Sequence, residues 1–448
     1  LDLCSKMAAP MLACLSTGII LRILLFETFL PEWLADKSEV ATPLTSWKRV
    51  TEGLALHRQG ISPYSGDIFH EMPIVLRVLN YLTGLWGPKL TYLFVLLDFI
   101  MALILERIAK QCGRYLLVKQ SHHVEDYSSD ARKLILRAVD LHFTRLAVVA
   151  AYLFNPYSIA CCLARSTAIF NNLAVGLAIL FTLQGSRGRA CLAIAVASYL
   201  SLYPIMLVVP TALFLAVADT EGRQKWEGLI QRNALLASFL QTFLCSVAAL
   251  GVLLYISFML QQSWDFLPAT YGFILSVPDL TPNMGLFWYF FTEMFEHFRL
   301  FFICVFQINA FIYTVPLAIK LKEHPIFQMY LLVALMGIFK SYPSYADAAL
   351  YLALLPLWKH VFQYMRNSFV VGVMFLVCTV MAPIMWHLWI YSGSANANFY
   401  FAITLVYSTA QVFLVTDLMF AFLRREYSLI HGTKPPKVDG KEAQIILD

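Results

Sequence analysis

Trp47–Pro73, WKRVTEGLALHRQGISPYSGDIFHEMP, is a polar stretch punctuated by aromatics and set between apolar runs. A loop this polar cannot lie in hydrocarbon, where its backbone would lack hydrogen-bond partners. It marks a water-facing region held against a membrane. Upstream, Glu39-Val40-Ala41 offers no Asp-x-Asp pair to hold a metal and a sugar-phosphate donor. The segment suits a polar headgroup at a bilayer surface and shows no evident means of doing chemistry on it.

The rest of the chain agrees with that placement. Of its 448 residues 59% are hydrophobic and only 14% charged, with mean hydropathy +0.67. A soluble domain carries about 25% charged residues, so the class is an all-α polytopic membrane protein. Aromatics at 15% fit interfacial belts. The net charge of +5 is modest, and no basic stripe points to nucleic acid. Most of the nine cysteines lie in apolar runs, where a thiol behaves as a small hydrophobe. None falls in the loops assigned below to the non-cytosolic side, so no structural disulfide is expected there. Residues 1–6 precede Met7 and read as an upstream leader, with Met7 as initiator.

Apolar runs near the length of a membrane crossing occur at 9–29, 88–105, 141–164, 168–185, 190–203, 205–218, 234–260, 297–319, 325–341, 346–361, 367–391 and 398–423. The pair divided at Tyr203-Pro204 is the least regular. Pro73–Gly87 and Met284–Thr292 are apolar but short, and read as interfacial helices. About twelve spans put both ends on one side. Basic residues concentrate in 106–140 and in the loops near 187, 223–232, 320 and 424, whereas 261–283 and 392–397 hold no Lys or Arg. By the positive-inside rule the termini and 106–140 are cytosolic, and 30–72 and 261–283 lie across the membrane. Lys37, Lys48, Arg49 and Arg58 in the first loop depart from the bias. Residues 7–430 form one helical domain, and 431–448 a flexible cytosolic tail.

The non-cytosolic loops gather Trp47, Tyr64, Asp67, His70, Glu71, Trp264, Asp265, Asp279, Asn283, Asn396 and Asn398. They form either a solvated rim packed on partner chains or a vestibule over the bundle. Asn396 and Asn398 alternate with small residues in GSANAN, and amides suit sugar hydroxyls or phosphate oxygens. Asparagine equally favours helix caps. In an extended loop, positions two apart point the same way. Phe287, Phe290 and Phe291 belong to FWYFFTEMFEHFRLFFICVF, an interfacial belt or a surface for acyl chains. Asp98, near mid-span, bonds a neighbouring helix or serves transport. Arg22, Glu27, Arg145, Lys340, Asp347 and Asp417 lie nearer span ends, where they snorkel or pair. There is no G-x-S-x-G, H-E-x-x-H, P-loop or GxGxxG, and no metal-ligand spacing. No catalytic residue, metal or cofactor is assigned.

Several motifs together resemble the class U subunit of GPI transamidase. They are Ser46-Trp47-Lys48-Arg49-Val50, Ser62-Pro63-Tyr64-Ser65-Gly66, Phe154-Asn155-Pro156-Tyr157, Ser201-Leu202-Tyr203-Pro204, Ser263-Trp264-Asp265-Phe266, TPNMGLFWYFFTEMFEHF from Thr281 and WHLWIYSGSANANF from Trp386. The match runs over essentially the whole chain after Met7. The resemblance implies a multi-pass protein of the endoplasmic reticulum membrane. It would recognise or present the GPI glycolipid, beside other subunits that include the catalytic cysteine protease. A more distant similarity is to GPI mannosyltransferases of the GT-C type, which implies a GT-C-like bundle. Ser62-Pro63-Tyr64 remains here, but the acidic pair does not. Tyr64, His70, Asp265, Phe287, Phe290, Phe291, Asn396 and Asn398 are the candidate lipid-binding residues. The alternatives are a lipid-linked-sugar transferase using Asp36, Glu39 or Asp67, and a transporter or scramblase using Asp98.

Overall fold

The protein is described by a computed structural model over residues 2–220, 228–433, 437–438 and 441–442. It is helical almost throughout. Helix α1 (Asp2–Phe26) is followed by short α2 (Leu30–Ala35), then α3 (Trp47–Arg58) and α4 (Pro73–Trp86) of the first polar region. Next come α5 (Thr91–His122), α6 (Ala138–Leu153), α7 (Pro156–Leu163), α8 (Ala168–Leu183), α9 (Arg187–Ser201) and α10 (Val208–Thr220). Helix α11 (Gly228–Gln261) leads to α12 (Phe273–Ser276) and α13 (Phe287–Glu293). The chain ends with α14 (Arg299–Ile312), α15 (Thr314–Lys320), α16 (Pro325–Phe339), α17 (Tyr345–Leu354), α18 (Ser368–Ile390) and α19 (Ala397–His431).

Local chemistry sets several boundaries. Pro73 and Pro156 occupy the first helical position, where a missing N–H costs nothing. Asn155 caps α7 through the Tyr157 N–H at 2.9 Å. Leu202, at φ 60°, breaks α9 from α10 before Pro204, at the division expected there. Gly432, at φ 90°, ends α19.

The twelve apolar runs are helical over most of their length. Among the described residues five helices are long and apolar enough, by length and composition, to cross a membrane: Ala8–Phe26, Leu235–Gln261, Glu296–Lys320, Ser368–Ile390 and Ala397–His431. A sixth is possible if the pair Phe143–Leu153 and Pro156–Leu163, bent by 46°, is one span. Helix α16 is shorter, and its Pro325–Ile338 are all buried. A helix apolar on every side can be a protein core as well as a membrane span. Sequence hydropathy reads both as lipid.

Two further boundaries differ from expectation. The loop 106–140 is not solvated from its start. Helix α5 continues to His122 and buries Glu106, Ile108, Ala109 and Cys112. Glu106 pairs with Arg145 of α6, with Nε at 2.7 Å. At the other end α19 runs to His431, and Lys437–Val438 pairs antiparallel with Lys441–Glu442. The other tail residues, 434–436, 439–440 and 443–448, lie outside the described ones.

Inside the bundle, Arg22 is wholly buried rather than snorkelling. Its Nε meets Asp98 at 2.6 Å, and its terminal nitrogens reach Leu153 O at 2.8 Å and Ser158 Oγ at 3.1 Å. Tyr152 donates to the other Asp98 oxygen at 2.9 Å. The charge on Asp98 is thus matched within a network tying α1, α5, α6 and α7. Asp417 accepts the Arg366 and Asn367 backbone N–H groups, the latter at 2.8 Å.

Candidate functional site

The first polar region folds around close packing. Gly53 of α3 faces the Phe69 ring so closely that a Cβ there would lie 2.1 Å from it. Tyr64 is buried against Phe69 and Phe266, and its hydroxyl donates to Glu71 O at 2.9 Å. His70 stacks on Phe273, with ring centroids 3.6 Å apart. Its Nδ1 lies 2.8 Å from Ala269 O and its Nε2 3.1 Å from Asp67 O, with an Arg49 terminal nitrogen 3.5 Å from Nε2. Burial, with the Arg49 charge beside it, lowers its pKa and keeps the ring neutral. Arg49 also meets Asp279 at 2.6 Å. Burial alone would raise the Asp279 pKa; hydrogen bonds from Thr281 and the Arg49 guanidinium outweigh it and hold it low. Tyr64 and His70 therefore stitch 47–72 to 261–283. Asp265 is exposed and stands outside that stitch.

Beneath the stitch lies a narrow cleft of about 50 Å³, lined among others by His70, Glu71, Asn171, Ser201, Lys340 and Tyr342. Lys340 pairs with Asp347 at 2.5 Å. Burial raises the Glu71 carboxyl to a pKa of about 7, partly offset by the Thr167 hydroxyl.

The aromatic run is not the lipid-facing surface expected of Phe287, Phe290 and Phe291. Phe287 and Phe291 are each 3% exposed, in a cluster with Phe273, Val277, Ile303 and Tyr342. Phe290 is half-buried against Phe302 and Phe306, at 5.2 and 4.8 Å. The rings turned outward are Phe295, Phe298 and Phe301. A seven-residue helix in which nearly every position is aromatic has to turn some of them inward, and composition cannot say which.

The opposite side of α13 reaches the predicted amide loop. Tyr289 stacks on Phe401 at 4.1 Å and donates its hydroxyl to Asn398 Oδ1. Trp288 packs on Tyr400. Asn396 is the N-cap of α19: its Oδ1 accepts the Asn398 N–H at 3.0 Å. The extended-loop geometry expected for this pair is replaced by a helix start, so the two side chains leave the backbone in different directions. Both side chains are exposed. Both carbonyl oxygens are engaged, which leaves their N–H₂ groups as donors.

Three neighbours escaped the sequence reading. Tyr289 was hidden in a run of rings, although it alone among FWYFF carries a hydroxyl. Lys37 is 7% exposed, its ammonium 4.4 Å from the Trp33 ring and 5.9 Å from that of Tyr391 at the end of α18. Lys340 looked like a span-end lysine. Glu39, for its part, is buried: Tyr400 donates to its carboxylate at 3.1 Å while Ser38 bonds the same hydroxyl at 3.1 Å. Burial raises its pKa. Asp36 is exposed and pairs with Lys48. Among the described residues no three His, Cys, Asp or Glu side chains gather as a metal-binding group.

An apolar helical bundle that carries amide donors, aromatic rings and a polar cleft on its inter-helix loops defines a polytopic membrane protein able to hold a polar group beside hydrocarbon. Comparison with known proteins narrows the class. The model of the family "GPI transamidase subunit PIG-U" matches residues 16–407. The chain is 45% identical over 443 residues to the GPI-anchor transamidase component PIGU of Homo sapiens, covering 98% of this chain and 100% of that one. It is 30% identical over 401 residues to the GPI transamidase component GAB1 of Saccharomyces cerevisiae, covering 89% and 90%. The chain belongs to the PIG-U family of GPI transamidase subunits.

Proposed function

We propose that this chain, a GPI transamidase component by family, recognises the GPI lipid in the endoplasmic reticulum membrane and presents it to the other subunits. The observation that carries the reading is the pair of amides at the start of α19. With both carbonyls engaged, Asn396 and Asn398 offer N–H donors, which suit the acceptor oxygens of phosphates and sugar hydroxyls. Lys37, nearly buried near Tyr391, adds positive charge on the same side. The catalytic cysteine protease resides on another chain of the complex, and both termini of this one face the cytosol.

The transferase alternative needs a carboxylate free to act as a base. Glu39 lies beneath Tyr400 and Asp36 is paired with Lys48, which weighs against it. The Arg22 pairing of Asp98 weighs equally against a transport role.

The test replaces Asn396 or Asn398 with Lys, and both with Ala, in cells. Surface GPI-anchored protein should fall while co-purification with the other subunits is retained. Normal surface levels in the double Ala variant would remove these residues from the site.

A further inference from the structure

A lipid-sized space lies among helices away from the amide pair. Between α4, α8, α9 and α11 runs an open groove of about 650 Å³. Its walls include Val78, Leu173, Leu177, Leu192, Val196 and Leu253, and only Arg189 and Tyr199 among its lining residues carry polar side-chain atoms. From Phe170 to Phe181 along α8 the groove extends roughly 16 Å, at ~1.5 Å of rise per residue. That is about half of a ~30 Å hydrocarbon core, the depth of one leaflet. Arg189, held by Ser186 and the Phe181 ring, closes the far end.

The near end opens onto the polar cleft. Phe170 and Leu200 line both spaces. Of the cleft's charged groups, Lys340 is matched by Asp347. The Glu71 carboxyl has no cationic partner among the described residues. The Asn171 side-chain oxygen is buried without a hydrogen-bond partner. The Asn171 oxygen is unmet and Glu71 is bonded by the Thr167 hydroxyl alone, so both keep acceptor capacity, which calls for a cationic donor with several N–H bonds. A primary ammonium has three, whereas a trimethylated one has none. Lys340 keeps N–H donors beyond the one it gives Asp347, which suits a phosphodiester.

We propose that this groove and cleft together bind an ethanolamine glycerophospholipid of the bilayer, chain in the groove and headgroup amine on Glu71 and Asn171. The short headgroup follows from the geometry: the cleft sits directly on the groove, so the amine lies only a few atoms from the glycerol. A glycan between the glycerol phosphate and the amine does not fit that spacing. A serine headgroup would bring a second carboxylate against Glu71. This site is independent of the amide pair at α19 and stands or falls without it.

The experiment uses the purified complex in nanodiscs of phosphatidylcholine doped with phosphatidylethanolamine, and mass spectrometry of the lipids that stay bound after detergent extraction. Phosphatidylethanolamine should be enriched about tenfold over its share, the size expected of a hydrogen-bonded charged group. Glu71→Gln should remove that preference while total bound lipid persists. Leu192→Trp, at a half-exposed wall position, should lower both lipids. Equal retention of the two lipids in the unmodified complex would overturn the proposal, as would an unchanged preference in the Glu71→Gln complex. Displacement of the bound phosphatidylethanolamine by added GPI would overturn the choice of occupant.

Discussion

The loop 47–72 and the loop 392–398 both looked like site material, and they use their polar atoms in opposite ways. In the first, Tyr64 and Arg49 direct their donors to Glu71 O and Asp279, and His70 sets its ring nitrogens against Ala269 O and Asp67 O. In the second, Asn396 and Asn398 engage only their oxygens. The contrast also explains why four basic residues sit against the charge bias in the first loop. Lys48 meets Asp36, Arg49 meets Asp279, Arg58 meets Asn80 at 2.9 Å, and Lys37 rests on Trp33. A matched charge is a weaker topology signal than a free one. Polar residue type therefore marks a candidate; unmet bonding capacity distinguishes a binding loop from a structural one.

The largest effect should come from the first loop. Gly53→Val puts atoms into the space of the fully buried Phe69 ring. Overpacking of this kind costs about 1–3 kcal/mol or more. The subunit should lose abundance and co-purification together, with no selective loss of GPI attachment. Normal assembly with impaired attachment would place the first loop among the binding surfaces and dissolve the contrast.

A smaller and cleaner effect is expected at the last loop. Tyr289→Phe keeps the ring on Phe401 and removes only the hydroxyl that holds Asn398. Losing such a bond costs about 0.5–1.5 kcal/mol, a few-fold to roughly tenfold in headgroup affinity. Attachment should fall by that factor in cells limited for GPI, with assembly unchanged. An identical rate at limiting GPI would mean that Asn398 needs no positioning.

What the sequence made readable was the helical membrane class, the short helices at 73–86 and 287–293, and the break near Pro204. Those rest on local apolar runs and on backbone rules for proline. Two properties were hidden. The difference between lipid-facing and core-facing apolarity depends on neighbours, so the burial of α16, α17, Phe287 and Phe291 was not readable. The pairing of Lys340 with Asp347 and of Tyr289 with Asn398 likewise depends on which helices adjoin. Asn396 was recognisable as either cap or ligand, and the cap is present while its N–H₂ stays open.

The smallest expected effect concerns pH and separates His70 from Glu71, adjacent in sequence but opposite in sign. Burial lowers the His70 pKa, so the folded protein prefers the neutral ring. Its contribution is complete above the unfolded value near 6.5 and is lost as pH falls below it. Burial raises the Glu71 pKa from 4.5 to about 7, so the folded protein prefers the neutral carboxyl. That contribution is complete below pH 4.5 and is lost as pH rises through about 7. Arg49 and Asp279 are paired beside His70, and Lys340 and Asp347 in the cleft. Between pH 5 and 8 the two contributions therefore oppose each other. In Glu71→Gln the loss on raising the pH disappears, while the His70 loss on lowering it remains. Thermal unfolding of the purified, delipidated complex should show the variant more stable than the parent at pH 8 and closest to it at pH 5. A variant less stable than its parent at pH 8 would mean that the Glu71 carboxylate already has a cationic partner in the complex, and the first loop would then hold no unmet charge at all.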